Sequence, residues 1–495
     1  MGIYLNPGND GFRRAVQSKI YVDKTRLLEY TNSILDTEQA YMCVSRPRRF
    51  GKSITAEMLV AYYDKSCDSR EIFQNLEIVQ NSEFDKYLNK YNVIHLDINS
   101  FRNQAKCAEE AVLHIHQNVI EELKEVYTVC LNDSEQNLPA AMAKINKIYH
   151  TKFVVIIDEW DAIFRENKED EKAQNAYISL LRGLFKDAPS KRFIKLAYLT
   201  GILPIKKYGT ESALNNFDEF TMVESDVLAE YAGFTENEVK NLYQQYQMDF
   251  EEAKRWYDGY HMSEGVYIYN PKSVVDSIRR KCIRNYWTST ETYESLKSYI
   301  SMNYDGLKDE VIQMLAGGSC KINPYKFQND MVSFKSKDDI LTLLIHLGYL
   351  TYNQMRQEVY IPNEEVRGEF KNAVEETGWD YVVQAIQASD DLLKATWQRD
   401  EKAVAEGVDK VHMSNTSVLT YNNENSLSCV IALAYYNAVN YYTLIREMPM
   451  GKGFADIVFL PRKASEKPAL IVELKWNKSA EGAISQIKKR EYVQL

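Results

Sequence analysis

Short apolar runs alternate with amphipathic segments over the first part of the chain. Four runs are apolar at nearly every position and predict strands: 39–45, 92–98, 153–158 and 193–199. Three segments between them have apolar residues at helical spacing: 52–63, 105–127 and 173–187. Strands that alternate with helices form a parallel sheet covered on both faces. The pattern therefore predicts an α/β domain at about 1–220.

The pattern changes after this domain. Residues 221–302 are mostly helical in character, which predicts a helical lid. Two amphipathic helical patterns follow at 306–316 and 337–347, and a β-hairpin pattern comes directly after them. This order of elements predicts a winged-helix-like module over 303–375.

The remaining residues, 376–495, predict a second α/β domain. They contain one helical pattern, three strand patterns and the start of another helix, at 424–440, 441–447, 454–460, 469–475 and from about 480. The chain ends at Leu495 while the pattern still continues. Whether this domain is complete or truncated is therefore left open.

Composition bears on the cellular compartment in which the protein is expected. No apolar run reaches the roughly 18 residues that a membrane-spanning helix needs. The first residues, MGIYLNPGNDGFRRA, lack the basic and apolar segments of a signal peptide. The seven cysteines are scattered without a CxxC pair, which is typical of a reducing compartment. We expect a cytoplasmic protein without a membrane partner.

The net charge of −10 argues against a surface that binds nucleic acid as a whole. Any such contact would need a local basic patch. Two candidates are Arg279-Arg280-Lys281 with Arg284, and Lys488-Lys489-Arg490. Taken alone, each is also explained as a solvated helix face.

The segment Ser45-Arg-Pro-Arg-Arg-Phe-Gly-Lys-Ser53 lies between a predicted strand and a predicted helix, as a phosphate-binding loop does. Lys52 is expected to reach the β- and γ-phosphates of ATP, and the Ser53 hydroxyl to bind Mg²⁺. The loop departs from the general pattern because Arg46 stands where the first glycine is expected. The candidate nucleotide-contacting residues are Arg48, Arg49, Phe50, Gly51, Lys52, Ser53 and Ile54.

A second motif, at 153–159, is an apolar strand that ends in two carboxylates. Asp158 is expected to hold Mg²⁺ through water, and Glu159 to orient the attacking water as a catalytic base. The alternative is that Asp158 only caps the following helix. Together with the loop, this motif predicts nucleotide binding, with hydrolysis as a further step.

Two more positions bear on the same chemistry. Thr200 ends the strand at 193–199, where a polar residue can sense the γ-phosphate; simple strand termination is the alternative. An arginine finger would come from Arg48 or Arg49, from the lid, or from another subunit, and the sequence does not choose among them.

A third group of reactive residues lies near the C-terminus. Asp456 opens one apolar strand, while Glu473 and Lys475 alternate in another and so project to the same face. Two carboxylates can hold Mg²⁺, and the lysine can activate water against a phosphodiester. Glu424 is a candidate further metal ligand, and Gln486 a candidate substrate contact. An exposed cross-strand charge pair is the alternative, but the apolar run around Glu473 predicts burial on both faces.

These motifs together resemble a family of bacterial proteins that join an AAA-ATPase-like domain to a PD-(D/E)XK nuclease-superfamily domain. The resemblance covers nearly the whole chain and is carried by YVDKT, SRPRRFGKS, IIDEWDAIF, LTGILPI, GFADIVFLP and ALIVELKW. The family's own version of the loop has arginine in place of the first glycine. Trp160 and Phe164 depart from its usual pattern beside the acidic pair.

The resemblance assigns ATPase roles to Lys52, Ser53, Asp158 and Glu159, and it assigns nuclease roles to Asp456, Glu473, Lys475 and, less closely, Glu424. It implies an ATP-binding and hydrolysing protein coupled to a metal-dependent nuclease domain. The alternative is a nucleotide-switched module that binds nucleic acid or a protein, with an inactive nuclease-like scaffold. A remnant that binds neither ATP nor metal is a third reading. A protein partner or a homo-oligomer stays open.

Overall fold

The computed structural model describes the 495-residue chain except for residues 1, 133, 206, 209–210, 213, 264, 288–292, 328–333, 378, 416–423, 451–452, 463–464, 476–479 and 491–495. The chain forms two compact units. The first comprises Met1–Glu291, Ile322–Gln357 and Pro362–Glu365, and the second comprises Thr292–Lys321, Glu358–Ile361 and Val366–Leu495.

A five-stranded parallel sheet forms the centre of the first unit. Its strands are β1 (Tyr41–Ser45), β2 (Asn92–Asp97), β3 (Phe153–Asp158), β4 (Ile194–Gly201) and β5 (Asp218–Phe220). They lie in the order β2-β3-β4-β1-β5. The register places Asp97 beside Asp158, and Asp158 beside Thr200. The carboxyl ends of the central strands are therefore level at one edge, where ligands bind in sheets of this kind.

Helices cover both faces of this sheet. Alternate residues of β3 enter two different hydrophobic clusters: Val155 belongs to one cluster, and Val154 and Ile156 belong to the other. This alternation follows from the pleat of a strand and explains why the runs are apolar at every position. The helices around the sheet are Asp10–Val16, Leu27–Ile34, α1 (Lys52–Tyr63), Arg70–Phe73, Phe84–Tyr87, α2 (Ile98–Gln104), Ala108–Val126, Leu138–Tyr149, α3 (Ala162–Glu166), Glu171–Phe185 and Ser190–Phe193. The predicted α/β architecture is confirmed.

The region predicted as a helical lid also contains a small antiparallel sheet. Its strands are β6 (Phe234–Thr235), β7 (Tyr260–Ser263) and β8 (Val266–Tyr269), in the order β6-β8-β7. Strands of two to four residues are too short to leave a periodic signal, which is why the sequence did not reveal them. The helices of this region are Glu236–Gln245, Phe250–Tyr257 and Pro271–Arg280, and Lys337–Leu347 and the strand Thr351–Asn353 also belong to the first unit.

The motif Tyr21-Val-Asp-Lys-Thr25 joins the lid region to the rest of the first unit. Nζ of Lys24 donates at 2.7 Å to both carboxylate oxygens of Glu238 and at 2.7 Å to the carbonyl of Glu230. Oδ1 of Asp23 accepts the backbone N–H of Thr25 at 2.8 Å. This motif therefore has a structural role, which the sequence did not indicate.

The second unit ends in a three-stranded antiparallel sheet. Its strands β9 (Tyr442–Met450), β10 (Gly453–Pro461) and β11 (Leu470–Val472) lie in chain order, so β11 is an edge strand. Cys320–Lys321 and Glu358–Tyr360 pair as short antiparallel strands. The helices are Tyr293–Ile300, Leu307–Leu315, Glu364–Glu376, Asp380–Gln398, Glu401–Asn415, Glu424–Ala434 and α4 (Ala480–Lys489). Among all described residues, no helix has the length and apolar character to cross a membrane.

Candidate functional site

Residues 46–51 connect β1 to α1, as a phosphate-binding loop requires. Gly51 precedes the first residue of α1 and has φ of +87°, a left-handed conformation that glycine adopts without steric cost. As the N-cap residue, Gly51 has no side chain with which to cap this end of α1. The first-turn N–H groups therefore remain available to an anion.

Lys52 is buried inside the loop. Its Nζ donates to the carbonyl of Arg46 at 3.0 Å and to that of Pro47 at 2.9 Å. Burial lowers the pKa of Lys52, while the carboxylates of Glu159, Asp158 and Asp161 oppose this shift. An ammonium held against loop carbonyls is poised to exchange them for phosphate oxygens.

Arg46 occupies the place of the first glycine, and its side chain is fully buried. One guanidinium nitrogen donates to the carbonyls of Ser45 and Phe220, at 2.9 and 2.8 Å. Its backbone N–H donates to Gly201 at 3.0 Å. Burial lowers the pKa of Arg46 to about 10. Arg46 thus ties the base of the loop to the ends of β4 and β5, which is a structural reason for arginine at this position.

The other candidate contacts in the loop divide into buried and exposed residues. Phe50 is buried: its carbonyl accepts the N–H of Gly233 at 3.0 Å, and its ring packs edge-on to Tyr260 at 5.2 Å. The loop is therefore attached to the lid region. The exposed residues are Arg48, Arg49, Ser53 and Ile54.

Asp158 lies beside the loop, at the end of β3. It is buried, and its Oδ1 accepts the backbone N–H of Glu159 at 2.9 Å. Burial raises the pKa of Asp158; Ser53 and Lys52 oppose that rise, and Asp97 adds to it. Asp158 does not cap the next helix, because the N-cap residue of α3 is Asp161. The two oxygen ligands expected for Mg²⁺ are therefore adjacent.

Thr200 stands level with Asp158 on β4 and is fully buried. Its hydroxyl donates to the carbonyl of Val44 at 3.2 Å. The side chain thus has a partner inside the sheet. A γ-phosphate-sensing role for Thr200 stays a prediction.

Sequence reasoning missed three charged residues at this edge: Asp97, Asp161 and Arg165. Asp97 ends β2 as Asp158 ends β3, and it caps α2 by accepting the N–H of Ser100 at 3.3 Å. The run NVIHLD carries the same signal as FVVIID, an apolar strand closed by an acid, so the sequence could have indicated Asp97. Arg165 follows the acidic pair and forms an ion pair with Glu159.

The C-terminal carboxylates also converge. Oδ2 of Asp456, on β10, accepts the backbone N–H of Leu474 at 2.6 Å. The neighbouring Glu473 side chain is only 1% exposed. Its Oε1 accepts from Lys475 Nζ at 2.8 Å and from the Gln486 amide. Its Oε2 is buried without a hydrogen-bond partner in the part of the chain that the structure describes. A divalent cation would satisfy that oxygen, so the Glu473 carboxylate is suited to contribute one metal ligand.

Two expectations about this region remain. One needs correction, and the other concerns a side chain outside the described parts of the chain. The strand that precedes Glu473 was expected to be buried on both faces, but β11 is half-buried because it lies at the sheet edge. Glu424 begins the helix Glu424–Ala434, and its side chain lies outside the described parts. Within the described residues, no three His, Cys, Asp or Glu side chains form a group that could hold a metal ion.

The basic patch at the end of Pro271–Arg280 includes one residue that the sequence did not place there. Arg280 and Arg284 lie 5.5 and 5.3 Å from the ring of Tyr286. Lys281 and Lys19 lie 5.4 and 6.0 Å from the ring of Tyr246. Lys19 therefore belongs to the same cluster of cations, although it lies far from the other members in the sequence.

Two regions of the chain match models of known protein families. Residues 10–210 match the family described as predicted AAA-ATPase, and residues 422–495 match the PD-(D/E)XK nuclease superfamily. An uncharacterized protein in the vnfD 5′ region of Azotobacter chroococcum mcd 1 is 23% identical over 377 residues. The match covers 72% of this chain and 66% of that relative, slightly less than two thirds. The architecture inferred from the motifs is confirmed.

Proposed function

We propose that the chain binds Mg-ATP at the loop of residues 46–53 and hydrolyses it, and that nucleotide state controls a metal-dependent nuclease in the C-terminal region. One observation carries the proposal. The buried ammonium of Lys52 lies in the loop that follows β1, at the carboxyl edge of the parallel sheet where β3 ends in Asp158 and Glu159, and Ser53 follows it in the first turn of α1.

In the ATPase half, the first-turn N–H groups of α1 and Lys52 would bind the phosphates. Ser53 and Asp158 would hold Mg²⁺, which would neutralise charge on the phosphate oxygens. Glu159 would orient water and accept its proton. The water oxygen then bonds to the γ-phosphorus while the bond to the β,γ-bridging oxygen breaks, which yields ADP and phosphate.

In the nuclease half, Asp456 and Glu473 would hold the cation, and the orphaned Oε2 of Glu473 supports this assignment. The cation would supply Lewis acidity to the scissile phosphate. Lys475 would orient the water, which attacks phosphorus as one P–O ester bond breaks. The cluster of Lys19, Arg280, Lys281 and Arg284 is the proposed contact for nucleic-acid phosphates.

A nucleotide-switched binding module is the second candidate function. The contacts of Phe50 with Gly233 and Tyr260 favour it, because they would transmit a change in the loop to the lid region whether or not the nuclease is active.

One experiment separates these functions. The full chain is incubated with labelled DNA and RNA, with Mg²⁺ or Mn²⁺, with and without ATP. Metal-dependent cleavage that changes with ATP supports the ATP-regulated nuclease. Intact substrates under conditions where ATP is bound would refute the nuclease half, and a nucleotide-dependent change in nucleic-acid affinity would then support the binding module.

A further inference from the structure

Arg165 faces the acidic pair from the following helix. It is buried in α3, and its Nε donates to Oδ2 of Asp161 at 3.0 Å. A terminal nitrogen of the same guanidinium pairs with Oε2 of Glu159. A planar guanidinium that binds two carboxylates at once has a fixed orientation.

Asp161 connects this pair to the loop after β4. Its Oδ2 also accepts the backbone N–H groups of Ile202 and Leu203, at 3.1 and 2.8 Å. A Cβ at Gly201 would lie 2.6 Å from Oδ1 of Asp161, so glycine is what allows this close approach. Through Asp161, Arg165 therefore links Glu159 to the end of β4.

The opposite side of Arg165 faces the phosphate loop. Its other terminal nitrogen lies 3.6 Å from Oε1 of Glu166, and that oxygen lies 3.9 Å from Arg48. Arg165 is thus connected to the loops that follow β1, β3 and β4. These are the loops that surround the nucleotide site.

The backbone of Glu159 is held as firmly as its carboxylate. Its φ is +51°, in the left-handed region that is sterically unfavourable for a non-glycine residue. Two backbone hydrogen bonds fix the turn. The N–H of Trp160 donates to the carbonyl of Thr200 at 3.1 Å, and the N–H of Ala162 donates to the carbonyl of Glu159 at 2.9 Å. A strained conformation that persists in this way is typical of a functional position.

We propose that Arg165 is a positioning residue, which binds Oε2 of Glu159 and so presents Oε1 to the attacking water. This role rests on the ATP hydrolysis proposed above. Arg165 does not touch the reacting atoms. It acts through Glu159.

The geometry gives the role a measurable signature. Arg165 holds one oxygen of Glu159, so its loss is expected to change the rate of turnover, whereas ATP affinity depends on the loop and on Lys52.

The test measures kcat for ATP hydrolysis, together with the Kd for ATP, in the full chain. Arg165→Gln removes the charge. Arg165→Lys keeps the charge but lacks the planar guanidinium that binds Glu159 and Asp161 at once. Arg70→Gln is the matched control: Arg70 is exposed, pairs with Asp85, and lies beyond the C-terminal end of α1, which is about 18 Å long.

Arg165→Gln is expected to lower kcat by about 10- to 100-fold with Kd unchanged. Arg165→Lys is expected to lower kcat less than Arg165→Gln does, because lysine keeps the charge and one donor for Glu159. Arg70→Gln is expected to match wild type in every respect.

The outcomes separate the two proposals. A wild-type chain that binds ATP without turnover would refute hydrolysis, and the role of Arg165 with it. Turnover in wild type with an unchanged kcat in Arg165→Gln would refute only the role of Arg165. If Arg165→Gln does not fold, Arg165→Lys decides: an unchanged kcat overturns the proposal, and a lowered kcat at wild-type Kd supports it.

Discussion

The proposed nucleotide site and the C-terminal carboxylate site hold their acids in different ways. At the end of β3, Glu159 pairs with Arg165, and Asp158 accepts the backbone N–H of Glu159. After β11, Glu473 has two donors on one oxygen and, among the described residues, none on the other. The first site is arranged before its ligand arrives, whereas the second leaves one buried oxygen for the ligand to satisfy.

The difference follows from where each strand lies. β3 is the buried neighbour of two other strands, so charges at its end must be paired by the surrounding protein. β11 is an edge strand of a three-stranded sheet. An unsatisfied buried oxygen costs about 1–3 kcal/mol, which a bound cation would recover. The comparison predicts that ligands change the second site more than the first.

The largest expected effect concerns Glu473. Glu473→Gln keeps the shape of the side chain but removes the negative charge, so metal-dependent cleavage should fall by about 10²- to 10⁴-fold while ATP turnover is retained. Cleavage of labelled nucleic acid measures it. Glu466→Gln, at an exposed position in the same region, is the matched control. Equal cleavage by both variants would show that the C-terminal carboxylates are a scaffold.

The second prediction concerns Arg46. Replacing it with the glycine of the general phosphate-loop pattern should destabilise the fold. Arg46→Gly removes a buried guanidinium and leaves the carbonyls of Ser45 and Phe220 without a donor, so we expect a loss of about 2–4 kcal/mol in the free energy of unfolding. Denaturant unfolding checks this. Arg49→Gly is the control: Arg49 is exposed with φ of +68°, and the change should be within about 1 kcal/mol of neutral.

Lys52→Ala should abolish stabilisation by nucleotide. Mg-ATP at 100 times its Kd stabilises the wild-type chain by about 2.7 kcal/mol if it binds only the folded state. Thermal unfolding with and without Mg-ATP measures the difference. Lys172→Ala, at an exposed lysine of the same unit, should keep the full shift. An equal shift in Lys52→Ala would place the nucleotide elsewhere.

The smallest effect is a dependence on pH. Because the pKa of Asp158 is raised, protons compete with Mg²⁺ at higher pH than an ordinary carboxylate allows, and Mg-ATP affinity should fall by up to about tenfold per unit as pH drops through that pKa. Titrations of Mg-ATP at several pH values measure this dependence. Asp158→Asn should bind more weakly and lose this part of the dependence.

In the absence of nucleotide, the raised pKa of Asp158 predicts the opposite pH trend for the stability of the fold. The folded state binds the Asp158 proton more tightly than the unfolded state does, so this contribution to stability increases as pH falls from the raised pKa toward about 3.9. The difference in unfolding free energy between wild type and Asp158→Asn, followed over pH, isolates the contribution. A flat difference would contradict it.

Much of the fold could be predicted because its elements are long and locally encoded. The helix predicted at 52–63 is Lys52–Tyr63, and the strand predicted at 153–158 is Phe153–Asp158. β5 and the lid sheet were missed because their strands have only two to four residues and depend on pairing with distant segments. The domain boundaries proposed at 220, 302 and 375 stay predictions.

For the sites, the sequence by itself indicated which residues are candidates for the chemistry. Lys52, Ser53, Asp158 and Glu159 could be recognised because a strand, a turn and a helix N-terminus are local features, and strand alternation linked Glu473 to Lys475. Only the tertiary structure decided what surrounds them. Arg46 donates to the carbonyl of Phe220, which is 174 residues away in the sequence. Arg165 binds Asp161, which in turn accepts a backbone N–H from the loop after β4. Such contacts depend on which chain segments pack together, and no local pattern records that.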